Sequence, residues 1–284
     1  MEFTRVTKDF DPGQDEYLLT DPGLFGFSGF IQKIDLDGNL IWAKSMGVSE
    51  CSRTHHVALD TDGNIFVYGE FKDSVDADPG IGEFRLYSPN INSQLFILKL
   101  DSEGDFVWAK SLDGAATDTR SMKLDLSGDI VFTGTFTDSI DCDPGPGEFY
   151  LGLDVPDEVY TRRFVAKWSN DGELIWAKLL AYTPAFELSY DCSDLDNLGN
   201  IYLVGFFFGS HDFDPGVGAY ELVSTGGFAG FIQKLDADGN FISAQMLRGD
   251  TDGEFSYNSI INTIDVESPD NITIGGEFIG NLNG

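Results

Sequence analysis

Short runs of β-branched and aromatic residues alternate along this chain with clusters of Asp, Gly and Asn. Asn64-Ile65-Phe66-Val67-Tyr68-Gly69-Glu70-Phe71 and Leu95-Phe96-Ile97-Leu98-Lys99-Leu100 are representative. Each has the length of a strand, and Asp-Gly turns bound them. No segment keeps apolar residues at a helical spacing of about 3.6 over several turns, so the pattern predicts strands throughout and little helix. Asp-Gly between two such runs predicts two-residue hairpins whose central positions take φ > 0.

The runs recur in a fixed phase. Ile41-Trp42-Ala43-Lys44 returns as Val107-Trp108-Ala109-Lys110, as Ile175-Trp176-Ala177-Lys178, and in weaker form as Ile242-Ser243-Ala244-Gln245. The tryptophan position advances by 66, 68 and 67 residues from copy to copy. A turn precedes each strip, with Gly38, Gly104, Gly172 and Gly239 at matching places. A second turn recurs at 60–64, 125–129 and 196–200, and at 267–271 with Asp270 in place of glycine. A third landmark, Asp-x-Asp-Pro-Gly, starts at Asp9, Asp76, Asp141 and Asp212.

Three landmarks in one phase define four repeats of about 67 residues, each with two hairpins and therefore four strands. Four-stranded units repeated radially predict an all-β chain, a β-propeller of four-stranded antiparallel blades. A β-solenoid is the rival, but its coils are shorter and the hairpin turns oppose it. The expected organisation is one domain over 1–284, with blades at 53–112, 119–180 and 188–246, and a fourth from 257–284 plus 1–46. Such a shared blade would close a four-blade ring; four consecutive repeats cut from a larger ring satisfy the same pattern.

Leu59-Asp60-x-x-Gly63-Asn64-Ile65, running on to Gly69, pairs with Lys99-Leu100-Asp101-x-x-Gly104-x-x-x-Trp108-Ala109-Lys110. The combination resembles the bacterial β-propeller repeats known as SBBP repeats, over essentially the whole chain. The Asp-x-Asp-Pro-Gly insert resembles a variant common in large secreted surface proteins. The resemblance implies an extracellular or cell-surface location and membership in a larger multidomain protein. It implies no reaction, because the family is defined by its repeat. If strand order follows that of the NHL-type propellers, the innermost strand is 54–60, followed outward by 64–71, 94–101 and 105–111. Strands at 28–35 and 39–46 would then complete a blade with strands at 257–265 and 271–278.

Composition narrows the partners. Twenty-four Phe and 33 Gly against 10 Pro suit sheets with aromatic faces and tight turns. Forty-eight acidic against 17 basic residues give a net charge of −31, which repels nucleic acid and anionic membranes and attracts cations. No apolar run approaches the roughly 18 residues of a membrane span, so membrane insertion is not expected. The segment 1–6 does not read as a signal peptide, so either an export signal has been removed or the chain is part of a longer protein. Cys51, Cys142 and Cys192 occupy non-equivalent repeat positions and read as free thiols.

The sharpest candidate chemistry lies in the paired carboxylates Asp9 and Asp11, Asp76 and Asp78, Asp141 and Asp143, and Asp212 and Asp214. Alternate carboxylates ahead of a glycine-permitted turn are compatible with calcium, which takes six to eight oxygens. The competing reading is a turn: Asp caps it, Pro presets φ, and Gly reaches φ > 0. A second candidate is a ring of unlike residues where the innermost strands begin: His55 and His56, Arg120 and Ser121, Asp191 and Cys192, Asn262 and Thr263. These predict a ligand-binding channel mouth at His55, His56, Arg120, Asp191 and Asn262. Exposed Trp42, Trp108 and Trp176 would stack on sugars, whereas buried ones would pack between sheets. Metal-binding His-x-x-x-His, Cys-x-x-Cys and phosphate-binding glycine loops are absent. The expected function is a non-enzymatic extracellular or cell-surface propeller acting as a binding, adhesion or structural module for a protein or glycan, with calcium as a stabilising ion. A carbohydrate-active hydrolase or lyase and a multivalent lectin are the alternatives.

Overall fold

The computed structural model describes residues 7–20, 28–48, 51–88, 93–153, 161–183, 187–247, 258–269 and 271–279. The expected strand and turn positions 257 and 270 lie outside these. Among the described residues the regular structure is entirely β-strand, and the strand pairings are antiparallel. The chain divides into two compact units, 1–119 and 120–284.

The first unit runs β1 (Thr7–Asp9), β2 (Leu18–Thr20), β3 (Phe30–Ile34), β4 (Leu40–Ser45), β5 (Gly47–Val48), β6 (Cys51–Leu59), β7 (Ile65–Lys72), β8 (Ser74–Asp76), β9 (Arg85–Tyr87), β10 (Gln94–Leu100) and β11 (Phe106–Ser111). Its four-stranded sheet has the order β11-β10-β7-β6, and β3-β4 and β1-β2 are separate hairpins. A three-stranded ribbon, β5-β8-β9, carries the second Asp-x-Asp-Pro-Gly loop.

After β12 (Asp113–Leu124) come β13 (Ile130–Asp141), β14 (Tyr150–Leu151), β15 (Thr161–Trp168), β16 (Leu174–Thr183), β17 (Leu188–Leu195), β18 (Ile201–Asp212), β19 (Glu221–Leu235), β20 (Phe241–Met246), β21 (Asn258–Ser268) and β22 (Asn271–Ile279). They form the sheets β12-β13-β15-β16, with β14 on β13, and β17-β18-β19-β20, followed by the hairpin β21-β22.

Middle strands are covered on both faces. All seven residues of β10 are buried, which explains why Leu95 to Leu100 reads as a continuous apolar run and not an alternating one. In the first unit, Ile31 and Met46 pack with Val67, Phe71, Phe96 and Leu98. In the second, Val131 and Val165 share a core with Leu203, Phe207 and Phe231 of the next sheet. Tyr202 and Val204 then pack on Ile261 and Ile264. Antiparallel sheets stacked in chain order by such contacts fit a β-propeller.

The hairpins differ from the expected two-residue form. In 35–39, the Gly38 amide donates to the Asp35 carbonyl at 3.1 Å and the Asp35 amide donates to the Asn39 carbonyl at 2.9 Å. Only the glycine takes φ > 0, at 85°. This is a type I turn closed by a glycine in the left-handed region. The pattern recurs at 60–64, 101–105, 125–129, 169–173, 196–200 and 236–240. The leading aspartate secures the turn: Asp35 Oδ1 accepts from the amides of Asp37 and Asn39, and Oδ2 accepts from the Asn39 side chain.

The Trp-Ala-Lys strip staples one repeat to the turn of the next. A Cβ on Gly104 would fall 2.8 Å from the Trp42 ring, and Lys44 Nζ donates to the Gly104 carbonyl at 2.5 Å and pairs with Asp105 at 3.0 Å. Trp176 lies against Gly239 and donates from Nε1 to the Ala237 carbonyl at 3.1 Å. These two tryptophans are packing residues. Lys99 and Lys167, at one repeat position, are likewise buried. Lys167 Nζ lies 2.8 Å from Asp125, the residue that caps the other hairpin of its own sheet.

Candidate functional site

Three of the channel-mouth candidates share one backbone feature. On β6 and β7, Thr54 pairs with Gly69 and His56 with Tyr68, leaving His55 as an extra residue. Asp191 is extra between Tyr190 and Cys192 on β17, and Asn262 between Ile261 and Thr263 on β21. His55, Asp191 and Asn262 are therefore β-bulge residues, and Arg120 holds the same repeat position on β12, five residues ahead of the turn aspartate. A bulge re-aims its side chain and strengthens local twist. It also accounts for the glycine that ends three of the Ile-x-x-x-Gly runs. A Cβ on Gly69, Gly205 or Gly276 would collide with the carbonyl oxygen of Arg53, Ser189 or Ile260 on the bulged strand. The repeated glycine thus makes room for the bulges at His55, Asp191 and Asn262, three unlike side chains at one repeat position.

In the first unit, Arg53 Nη1 contacts Glu70 at 2.7 Å and His55 Nε2 lies 4.0 Å from the same carboxylate. His56 stacks on Tyr68 with centroids 6.0 Å apart. An open cavity of 220 Å³ adjoins them, lined by Phe30, Gln32, Thr54, His55, His56 and Val57, among others.

In the second unit, Arg120 and the bulge residue Asp191 approach to 3.9 Å. Ser189 Oγ donates to Asp191 Oδ1 at 2.5 Å. Beside them lies a residue that the repeat pattern did not single out, Arg163 on β15, only 4% exposed. Its Nη1 donates to the Thr161 carbonyl at 3.1 Å and to Thr183 Oγ1 at 3.0 Å. Burial pulls its pKa down to about 10, with Arg120 pushing the same way and Tyr190 and Asp191 opposing. Tyr190 is 4% exposed and its hydroxyl has no hydrogen-bond partner among the described residues. Burial raises its pKa, against the pull of Arg163.

Counting back from the shared lysine (Lys33, Lys99, Lys167 and Lys234), the position of Arg163 holds Gly29, Leu95 and Gly230 in the other repeats. The fold therefore fills this place without charge three times out of four. Burying a guanidinium costs on the order of several kcal/mol unless it is well partnered. The signal readable in the sequence was a charged departure from the repeat at an otherwise small or apolar position.

Asn262 is exposed on β21. His211 donates through Nε2 to the Phe208 carbonyl at 2.7 Å. Burial lowers its pKa, against the bond to Phe208. Cys142 is buried and Cys192 half-buried, both as free thiols. The Cys51 side chain lies outside the described residues.

The four Asp-x-Asp-Pro-Gly loops use their carboxylates alike. The first aspartate straps the loop base: Asp141 Oδ1 accepts from the amides of Asp143 at 3.0 Å and Phe149 at 2.8 Å. Asp9 does so with Asp11 and Tyr17, Asp76 with Asp78 and Phe84, and Asp212 with Asp214 and Tyr220. The second aspartate caps the Pro-Gly turn, accepting from Gly13, Gly80, Gly145 or Gly216 at 2.7–2.8 Å. Gly82, Gly147 and Gly218 leave room for the other oxygen of that carboxylate. The turn accounts for both aspartates. Among the described residues, no three His, Cys, Asp or Glu side chains are grouped to hold a metal ion.

No protein-family model matches this chain. One curated relative is the uncharacterized WD repeat-containing protein L264 of Acanthamoeba polyphaga mimivirus, 24% identical over 279 residues. The match takes in 86% of this chain and 19% of that protein. The similarity points to a β-propeller-like repeat protein, in agreement with the all-β sheets. It carries neither the SBBP assignment nor a bacterial origin.

Proposed function

We propose that this chain is a non-catalytic protein-interaction module of propeller type that engages its partner through the bulge positions. One observation carries the reading: the repeated polar residues hold backbone, whereas His55, Arg120, Asp191 and Asn262 differ at one fixed repeat position. Likeness to a WD repeat-containing protein supports it, since propellers of that kind typically bind proteins. A rigid sheet edge that varies only in its side chains suits recognition.

On the repeat phase alone we set the count at four. Additional copies of the strip in the parent reading frame would enlarge that count. A cell-surface location, a glycan ligand and calcium in the Asp-x-Asp-Pro-Gly loops stay with the proposal as separate tests. Binding compared between the parent chain and a variant with alanine at His55, Arg120, Asp191 and Asn262 tests the main reading. Partners captured by the parent are expected to be lost by a variant that melts normally. Equal capture by both would overturn it.

A further inference from the structure

We propose that the open edge of β3, with β6 beside it, is a groove that takes an extended β-strand from a protein partner. The inference rests on the interaction-module reading and adds a contact surface next to His55. Gly29 turns its carbonyl toward β4, where it accepts from the Met46 amide at 3.1 Å. Backbone groups of successive residues point to opposite edges of a strand, so those of Phe30 and Gln32 face away from β4. Among the described residues no strand pairs with that edge. Thr54 Oγ1 on β6 reaches the Phe30 carbonyl at 3.5 Å, a long contact. The 220 Å³ cavity lies here, lined by three consecutive residues of β3 (Phe30, Ile31 and Gln32) and by Thr54, His55, His56 and Val57 of β6.

The four-stranded sheets define what fits. Phe96, Phe164 and Phe231 hold the repeat position of Phe30 and are fully buried, whereas Phe30 is 48% exposed. Val57 is 64% exposed at a position where Met122, Ser193 and Ile264 are buried. In those sheets an antiparallel strand takes the edge and sets a glycine opposite the phenylalanine: Gly69, Gly134 and Gly205. It also sets Val67, Phe132 or Leu203 opposite the position of Gln32, and Ile65, Ile130 or Ile201 opposite that of Ile34. The groove is therefore shaped for a segment of the pattern Ile-x-apolar-x-Gly, running antiparallel to β3. The strand of this kind in the first unit, β7, is already held between β6 and β10. Main-chain bonds along such an edge supply affinity, and alternate side chains supply selectivity. Because His55 lines the same cavity, a strand added to β3 runs beside the bulge.

A lysine-flanked peptide copying Asn64–Phe71 tests this, followed by fluorescence anisotropy and amide exchange. Saturable binding is expected, with exchange at Phe30 and Gln32 slowed at least tenfold, and a scrambled peptide should not bind. N-methylating the peptide amide at its valine, which faces Gln32, keeps every side chain and should weaken binding at least tenfold. Gln32→Pro removes a donor from the open edge and none from the β4 side, so it should melt near the parent and bind at least tenfold more weakly. Equal affinity for the methylated and unmethylated peptides would overturn the proposal. So would Phe30 and Gln32 amides already protected in the free protein, since the edge would then be taken by this chain or by a second copy. Partner capture that is lost with alanine at His55, Arg120, Asp191 and Asn262, yet indifferent to the peptide, would sink the groove and leave the interaction module standing.

Discussion

An aspartate in this protein is first of all a backbone partner. Asp141 accepts two amide hydrogen bonds across the base of its loop while 7% exposed. Asp141→Ala should therefore lose about 2 kcal/mol, the worth of bonds to a charged acceptor. Asp141→Asn keeps an accepting oxygen and should melt close to the parent, with calcium or with chelator. A calcium-dependent loss in the asparagine variant would instead assign an ion to the loop. Asp73 and Asp138 take φ of 62° and 65°, where the third repeat has Gly209 at 83°. A left-handed non-glycine residue carries a steric penalty. Asp138→Gly should thus gain about 0.5 kcal/mol in chemical denaturation, net of the added freedom of the unfolded chain.

Strands and hairpins were legible because their signals are local. Alternation of apolar runs with Asp-Gly gave the hairpins 35–39 and 60–64 directly, and a repeat of 66 to 68 residues gave their grouping into sheets. The turn type was misread, since an Asp-Gly pair fits both a two-residue hairpin and a type I turn with a following left-handed glycine. The carbonyl that decides between them lies outside the dipeptide. Bulges were illegible for a related reason: one extra residue changes register with no distinctive residue type of its own. The trace it leaves is the opposing glycine. Gly205→Ala should consequently cost about 3 kcal/mol, because a Cβ there meets the Ser189 carbonyl, which cannot give way as a side chain would. The loss should appear as early melting, accompanied by faster amide exchange in β17 and β18.

For the molecule as a whole, charge sets the conditions of stability. A net charge of −31 repels itself, so the melting temperature at pH 7 should rise from low salt to about 0.15 M, where the screening length is roughly 8 Å. At acid pH the turn aspartates act in the opposite sense. Asp35 lies below the ordinary carboxylate range because the Asn39 side chain and amide bond it. Burial raises Asp196 and Asp236, but their bonds to Asn200 and Asn240 outweigh it. A pKa lowered on folding stabilises above the unfolded value, near 4, and that contribution disappears as pH falls through the folded value. Unfolding followed from pH 6 downward should therefore set in below about pH 4.

The candidate site was half legible at this scale. His55, Arg120, Asp191 and Asn262 could be found because a repeat exposes its own variation, whereas Arg163 and Tyr190 needed the burial that only folding supplies. On the proposed reading, repeated residues maintain the sheets while the unlike residues at His55, Arg120, Asp191 and Asn262 are available for binding. Melting of two reciprocal variants tests it most directly: alanine at His55, Arg120, Asp191 and Asn262 in one, and alanine at Gly69, Gly205 and Gly276 in the other. The first is predicted to melt within a few degrees of the parent and the second to fail to fold. A first variant that unfolds while the second stays intact would contradict the claim.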